Sequence, residues 1–248
     1  MKLENADIGV SFDGDGDRVG VLSKDKNLIP GDLLTAFLAG SILRKKKNEP
    51  IILDIKSSKT AMQLIENQSG KAIISKTGHS LIKTKLKEIS SPLAGEMSGH
   101  IFFNDNWFGF DDGIYSALRC LQEIGAREGG LNIFLKNIPK TFVSPEIRIN
   151  CDDKIKFRVV EKVKKFSFKN YNKSDLLTID GIRVSSKIGW WLLRASNTEA
   201  ALIARAEGYS KKDLEKLLKE ISMCLDVAGI SWKPVSYTHL TLPTILLV

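Results

Sequence analysis

Between residues 51 and 124, short apolar runs alternate with segments of helical period, and this alternation restricts the fold more than any other feature. Residues 51–55 read as a buried strand, 61–67 as a helix and 71–74 as a second strand. Residues 80–89 place Leu81, Ile82, Leu86 and Ile89 on one helical face with lysines opposite. Residues 100–103 are strand-like, and 114–124 form a helix with Asp111 and Asp112 on its N-terminal side. Strand and helix in turn predict an α/β layer. Ahead of it, Asp32 is predicted to cap a helix with a stripe of Leu33, Leu34, Phe37, Leu38, Ile42 and Leu43, closed by the basic residues 44–47.

Beyond Pro139 the order changes. A strand over 141–149, a helix over 155–166, a strand over 176–184 turning at Asp180-Gly181, strands over 189–193 and 200–206, and a helix over 211–227 predict a separate α+β domain. No internal repeat or disordered linker is evident. The uncharged run SYTHLTLPTILLV after residue 235 fits no amphipathic pattern, so residues 235–248 read as a non-native tail.

The 43% hydrophobic content of the 248 residues suffices for a core. The net charge of +8 favours an anionic partner: nucleic acid, a phosphorylated metabolite or an acidic membrane. Cys120, Cys151 and Cys224 are odd in number, far apart and without CxxC spacing, which argues against a disulfide framework or a zinc site and for a reducing, cytoplasmic setting. There is no secretory pattern and no apolar run of membrane-spanning length.

The stretch SFDGDGDRVGVL, residues 11–22, sets Asp13, Asp15 and Asp17 on a glycine-containing loop between two apolar runs. Glycine lets alternate carboxylates converge, and a hard divalent cation offsets their repulsion. An EF-hand is excluded, because loop positions 6 and 12 hold Arg18 and Lys24. A Mg²⁺ bound here needs further oxygen ligands, commonly phosphate, and Arg18 is placed to fork onto the same phosphate.

Three more clusters fit this chemistry. KTGHSLIK carries His79 ahead of a helix, and GEMSGH packs Glu96, Ser98 and His100 between glycines, a set suited to a polyhydroxylated ligand and to proton transfer. RASNTEA offers Arg194, Ser196, Asn197 and Thr198 as a dianion cradle, and Lys56 ends a buried strand as a further cation. Nucleic acid is disfavoured: Trp107, Phe108 and Phe110 sit beside acid in NWFGFDD, not among basic residues.

DGDGDR, KTGHS, GEMSGH followed by NWFGFDDG, and RASNTEA, in this order, resemble the α-D-phosphohexomutases, with GEMSGH most similar to the phosphomannomutase/phosphoglucomutase branch. The resemblance runs from about residue 5 to 234. It implies that residues 1–27 end the second of four domains, that 28–139 form the third, and that 140–234 form a fourth with a TATA-box-binding-protein-like fold. It implies reversible phosphoryl transfer between C1 and C6 of glucose or mannose phosphate, through a phosphoserine and a 1,6-bisphosphate. Asp13, Asp15 and Asp17 would hold Mg²⁺, and Arg18 would face the transferring group. Glu96 and Ser98 would read the sugar O3 and O4, and His100 would move the proton. Lys56 and His79 would line the cleft, and residues 194, 196, 197 and 198 would hold the other phosphate.

The family's serine loop has no counterpart in this sequence. The expectation is therefore a truncated chain without turnover of its own, with Met1 an internal start or a fragment boundary. Alternatives are phosphoglucosamine mutase, whose sugar loop usually has Gln where Met97 stands, and a non-catalytic phosphosugar-binding module.

Overall fold

The run around Ile52 becomes the middle of a sheet because both of its faces are apolar. The computed structural model describes residues 6–25 and 27–234. These divide after Pro139 into two compact units. The expected tail at 235–248 lies outside the described residues.

In the first unit, β1 (Gly9–Phe12), β2 (Val19–Leu22) and β3 (Leu28–Ile29) form an antiparallel sheet in that order. Phe12 pairs with Val19, so the Asp-Gly loop closes the β1–β2 hairpin. Next come α1 (Gly31–Leu43), β4 (Pro50–Asp54), α2 (Lys59–Asn67), β5 (Lys71–Ser75), α3 (His79–Glu88), β6 (Leu93–Gly95), β7 (Ile101–Phe103), α4 (Gly113–Ala126) and α5 (Gly130–Lys136). Their sheet runs β5-β4-β6-β7, with β4 parallel to both neighbours and β7 antiparallel to β6. Successive strand side chains face opposite ways. Ile51 and Leu53 meet α1, α2, α4 and α5 on one face, while Ile52, Ala94 and Phe102 meet Ile82 and Leu86 of α3 on the other. Helices on both faces are what parallel strands require.

Two expectations are corrected here. Asp32 does not cap α1; Pro30 holds that position, and the buried Asp32 carboxylate accepts the Ser58 N–H at 2.7 Å, joining α1 to the start of α2. Nor is α1 striped. Only Leu33 and Ser41 escape full burial, because Ala36, Ala39 and Gly40 make the second face small enough to pack closely.

In the second unit, β8 (Phe142–Val143), β9 (Ile147–Asn150), α6 (Lys156–Asn170), β10 (Leu176–Leu177), β11 (Ile182–Ser186), β12 (Gly189–Ala195), β13 (Ala201–Gly208) and α7 (Lys211–Ala228) follow. The sheet is antiparallel, β10-β11-β12-β13, with β8 and β9 both on the outer edge of β13. The single strand expected over 141–149 is two, divided around Pro145, which has no N–H to give to a ladder. Residues of α6 and α7 cover one sheet face, Val163, Leu217 and Ile221 packing with Val184, Trp191 and Ala204. Ser210 caps α7 by accepting the Asp213 N–H, and Gly229 ends it in the left-handed conformation. An α/β layer thus precedes an α+β unit. Among the described residues, no helix is long and apolar enough to cross a membrane.

Candidate functional site

The hairpin loop gathers its acids as the alternating spacing requires. One ligand oxygen each from Asp13, Asp15 and Asp17 lies within 4.8 Å of the others. Gly16 turns the loop at φ +77°, a value glycine adopts without strain. Arg18 then folds back: its N–H donates to Asp13 Oδ1 at 3.1 Å and its Nε to Asp13 Oδ2 at 2.5 Å, with Asp17 Oδ1 at 3.9 Å. Burial opposes ionisation of Asp13, yet the hydrogen bonds from Arg18 hold its carboxyl well below the usual range. Asp17 is raised instead, by burial and by its acidic neighbours, against the pull of His100. Asp17 Oδ1 is buried and accepts no hydrogen bond.

The loop at 95–100 docks on this hairpin. Arg18 and His100 form an isolated β-bridge, and the Val19 N–H donates to Gly99 O at 3.1 Å. Gly99 sits at φ +97°, where an added Cβ would stand 2.7 Å from Val19 O. Gly99→Ala is expected to cost about 1–3 kcal/mol through this strain, read as a lower thermal midpoint.

The docking puts His100 Nε2 3.4 Å from Asp17 Oδ2 and His100 Nδ1 3.1 Å from Glu96 Oε2. Ser98 Oγ lies 3.0 Å from the same Nδ1. Glu96 Oε1 accepts the Gly78 N–H at 2.7 Å, which fixes the residue before His79. Burial works against a charged imidazole, but Glu96, then Asp17 and Asp111, raise the His100 pKa. Burial likewise disfavours the Glu96 anion, and His100 with the Gly78 N–H more than offsets it. His79 stacks on His100 with ring centroids 6.1 Å apart.

Lys56 is nearly buried and sits 4.0 Å from Asp54 Oδ2. Asp54 was not singled out in the sequence. Wholly buried and raised in pKa by burial, it accepts from Ser57 Oγ at 2.6 Å, Thr77 Oγ1 at 3.2 Å and the Met97 N–H at 3.3 Å, tying the 56, 77 and 97 loops together. Asp111 is the other omission. It approaches His79 Nδ1 at 3.4 Å and Lys83 Nζ at 3.1 Å, and the signal for it was the doubled Asp in NWFGFDD.

The remaining expected residues lie in the second unit. Arg194, at the end of β12, is buried and donates from Nε to Asp180 Oδ2 at 2.9 Å, while one of its terminal nitrogens, Nη2, is buried without a hydrogen-bond partner. Ser196 Oγ accepts the Glu199 N–H at 3.1 Å and shapes the turn, leaving Asn197 and Thr198 exposed at its tip. Lys156 Nζ reaches the same turn at Glu199 O, 3.0 Å away.

Comparison with known proteins adds to this geometry. Residues 30–142 match the domain described as phosphoglucomutase/phosphomannomutase, alpha/beta/alpha domain III, and residues 146–222 match the C-terminal domain of the same family. Over 217 residues the chain is 42% identical to a phosphomannomutase/phosphoglucomutase of Pseudomonas putida, covering 88% of this chain and 46% of that protein. A crystal structure of a phosphoglucomutase/phosphomannomutase family protein from Burkholderia thailandensis matches with a TM-score of 0.82 and 34% identity, over 90% of this chain and 47% of its own. The N-acetylphosphoglucosamine mutase of Aspergillus fumigatus, solved in complex with GlcNAc-6P and magnesium, shares the fold at a TM-score of 0.62 and 18% identity, over 89% of this chain and 48% of its own. The chain spans about half the length of the curated relatives it matches.

Proposed function

The chain belongs to the phosphoglucomutase/phosphomannomutase family, and from that premise we propose that it carries the metal-holding, sugar-reading and phosphate-reading parts of an enzyme that moves a phosphoryl group between C1 and C6 of a hexose. The observation that carries the reading is the docking of the three-aspartate loop on the Glu96–Ser98–His100 loop through the Arg18–His100 bridge. We assign residues 1–27 to the end of the family's second domain, 28–139 to its third and 140–234 to its fourth.

An all-oxygen donor set in which one Asp17 oxygen accepts no hydrogen bond fits Mg²⁺. When bound, that ion would neutralise charge on a transferring phosphoryl group. Arg18, oriented by its two bonds to Asp13, presents its remaining guanidinium nitrogens to the same phosphate. Glu96 and Ser98 accept from and donate to sugar hydroxyls, and Glu96 keeps His100 Nδ1 protonated, so that Nε2 is the nitrogen that exchanges a proton with the reacting hydroxyl. Lys56 and His79 line the sugar site. Arg194, Ser196, Asn197 and Thr198 hold the phosphate that is not transferred, with the unpartnered Arg194 Nη2 as the principal donor. Contacts to O3, O4 and a phosphate are blind to C2, so glucose and mannose phosphates both serve. The buried free cysteines fit a cytoplasmic setting.

The phosphoserine that such transfer needs is not supplied by these residues. Titration calorimetry with glucose 1,6-bisphosphate and Mg²⁺ is expected to give saturable binding that weakens about tenfold or more in Arg194→Ala, since a charged hydrogen bond contributes ~1.5–3 kcal/mol. The 248-residue chain alone is expected not to interconvert glucose 1- and 6-phosphate. Absence of binding, or turnover by the chain alone, would overturn the assignment.

A further inference from the structure

Beside the oxygen-only loop stands a second group of donors with different chemistry. One ligand atom each from Asp17, His100 and Asp111 lies within 4.8 Å of the others. We propose that Asp17, His100 and Asp111 form a separate site for a zinc-class divalent ion that shares Asp17 with the magnesium loop, with His79 beside it.

Two observations carry this. Asp111 is a buried carboxylate, its side chain 7% exposed, and its Oδ2 accepts no hydrogen bond. Its Oδ1 is taken by Lys83 Nζ, so Oδ2 is the oxygen left for a cation. His100 is held as zinc-bound histidines are held: its Nδ1 lies 3.1 Å from a carboxylate oxygen of Glu96 and 3.0 Å from Ser98 Oγ, which leaves the Nε2 lone pair pointing toward Asp17 Oδ2, 3.4 Å away. His79 lies beside these three donors, its Nδ1 3.4 Å from Asp111 Oδ2 and its ring stacked on that of His100.

One imidazole nitrogen and two carboxylate oxygens, with a fourth position left for water, form the mixed donor set that zinc takes in tetrahedral sites, whereas magnesium prefers six oxygens. Asp17, Asp111 and Glu96 bring three carboxylates to the cluster, with Lys83 3.1 Å from Asp111 and Arg18 3.9 Å from Asp17 as cations beside them. The cysteine spacing gives no hint of this site, because its donors come from three separate loops.

Filling it would have a consequence for the proposed chemistry. An ion on His100 Nε2 occupies the lone pair that would take the sugar proton, and it draws Asp17 away from the first loop. The site is therefore inhibitory.

The test uses the 248-residue chain, labelled with ¹⁵N-histidine, with excess Mg²⁺ present to fill the oxygen-only loop. On addition of ZnCl₂, the His100 Nε2 resonance is expected to shift to a metal-bound position while Nδ1 keeps its proton. Titration calorimetry of the same sample is expected to show Zn²⁺ binding that Asp111→Asn weakens about tenfold or more, since it takes the charge from one of the three donors. Unmoved His100 ring nitrogens would overturn the proposal, as would equal Zn²⁺ affinity in a folded Asp111→Asn chain. Should that variant not fold, the histidine spectrum of the unmodified chain decides alone. Neither readout depends on mutase activity, so failure here leaves the sugar-phosphate reading standing, and failure of that reading leaves this one.

Discussion

Glu123→Ala is expected to destabilise the first unit by about 3–5 kcal/mol, the range for breaking a buried ion pair by removing one partner. Glu123 on α4 has no solvent exposure. Arg44, the residue that ends α1, donates to both of its oxygens, at 2.7 Å to Oε1 and closer still to Oε2. Arg127 lies 3.6 Å from Oε1, donates to Gln68 Oε1 at 3.1 Å and places its guanidinium over Phe37 and Phe134. The carboxylate therefore ties α1, α2 and α4 together in one network. Without it, half-exposed Arg44 turns to water, but Arg127 cannot. Burial already depresses the Arg127 pKa, and its Nη1 is buried with no hydrogen bond. Arg44→Ala strands the carboxylate instead, and should cost somewhat less because Arg127 remains near it. Hydrogen exchange at the β4 amides is the proper readout, since tryptophans in both units would mix their fluorescence. A β4 opening free energy reduced by less than about 1 kcal/mol in Glu123→Ala would show that the network contributes little, as many exposed ion pairs do.

The same network marks the boundary of what the sequence could say. From residue 50 to 126 the strands and helices follow from period alone, because each strand has apolar residues on both faces and each amphipathic helix has one apolar face. The three-residue β6 escapes such reasoning: Pro92 precedes it, Gly95 ends it, and only its pairing with β4 makes it a strand. Asp32 failed for a related reason. A local rule made it a cap, but its partner is the N–H of Ser58, 26 residues away, and local rules cannot see a distant donor. At the candidate site, motif order identified the residues of the hairpin and the 95–100 loop, while the pairing of His100 with both Glu96 and Asp17 depends on Gly99 bringing two backbones together. Asp111 and Asp112 show the limit most clearly. Adjacent and identical, they read as two charges at one helix end. Asp112 does cap α4 by accepting the Tyr115 N–H, whereas Asp111 pairs with Phe102 of β7 and turns toward His79 and Lys83.

Asp15→Asn and Asp13→Asn should both lower Mg²⁺ affinity about a hundredfold or more, since each removes one of three charged oxygen donors from the proposed hard-cation site, but only one of them should disturb Arg18. Asp15 is exposed and makes no hydrogen bond to Arg18 that would be lost with its charge. Asp13 serves two partners. Its two oxygens accept the Arg18 N–H and Nε, so neutralising it frees the guanidinium as well as weakening the metal. The Asp13 carboxyl is depressed in the folded chain, so its contribution to stability is complete above the ordinary value of ~3.9 and is lost only as pH falls through the depressed value. Between pH 4 and 7, therefore, the Asp13–Arg18 pair of the unmodified chain should show little change, whereas Asp13→Asn should behave at all these pH values as though that carboxyl were protonated. Calorimetric Mg²⁺ titration separates wild type from both variants. The ¹⁵N resonance of Arg18 Nε separates the variants from each other, shifting toward its free-solvent position in Asp13→Asn and holding in Asp15→Asn. An equal Arg18 shift in both variants would mean that the loop is ordered by the metal rather than by the Asp13–Arg18 pair. Unchanged Mg²⁺ affinity in either would remove that residue from the metal site altogether.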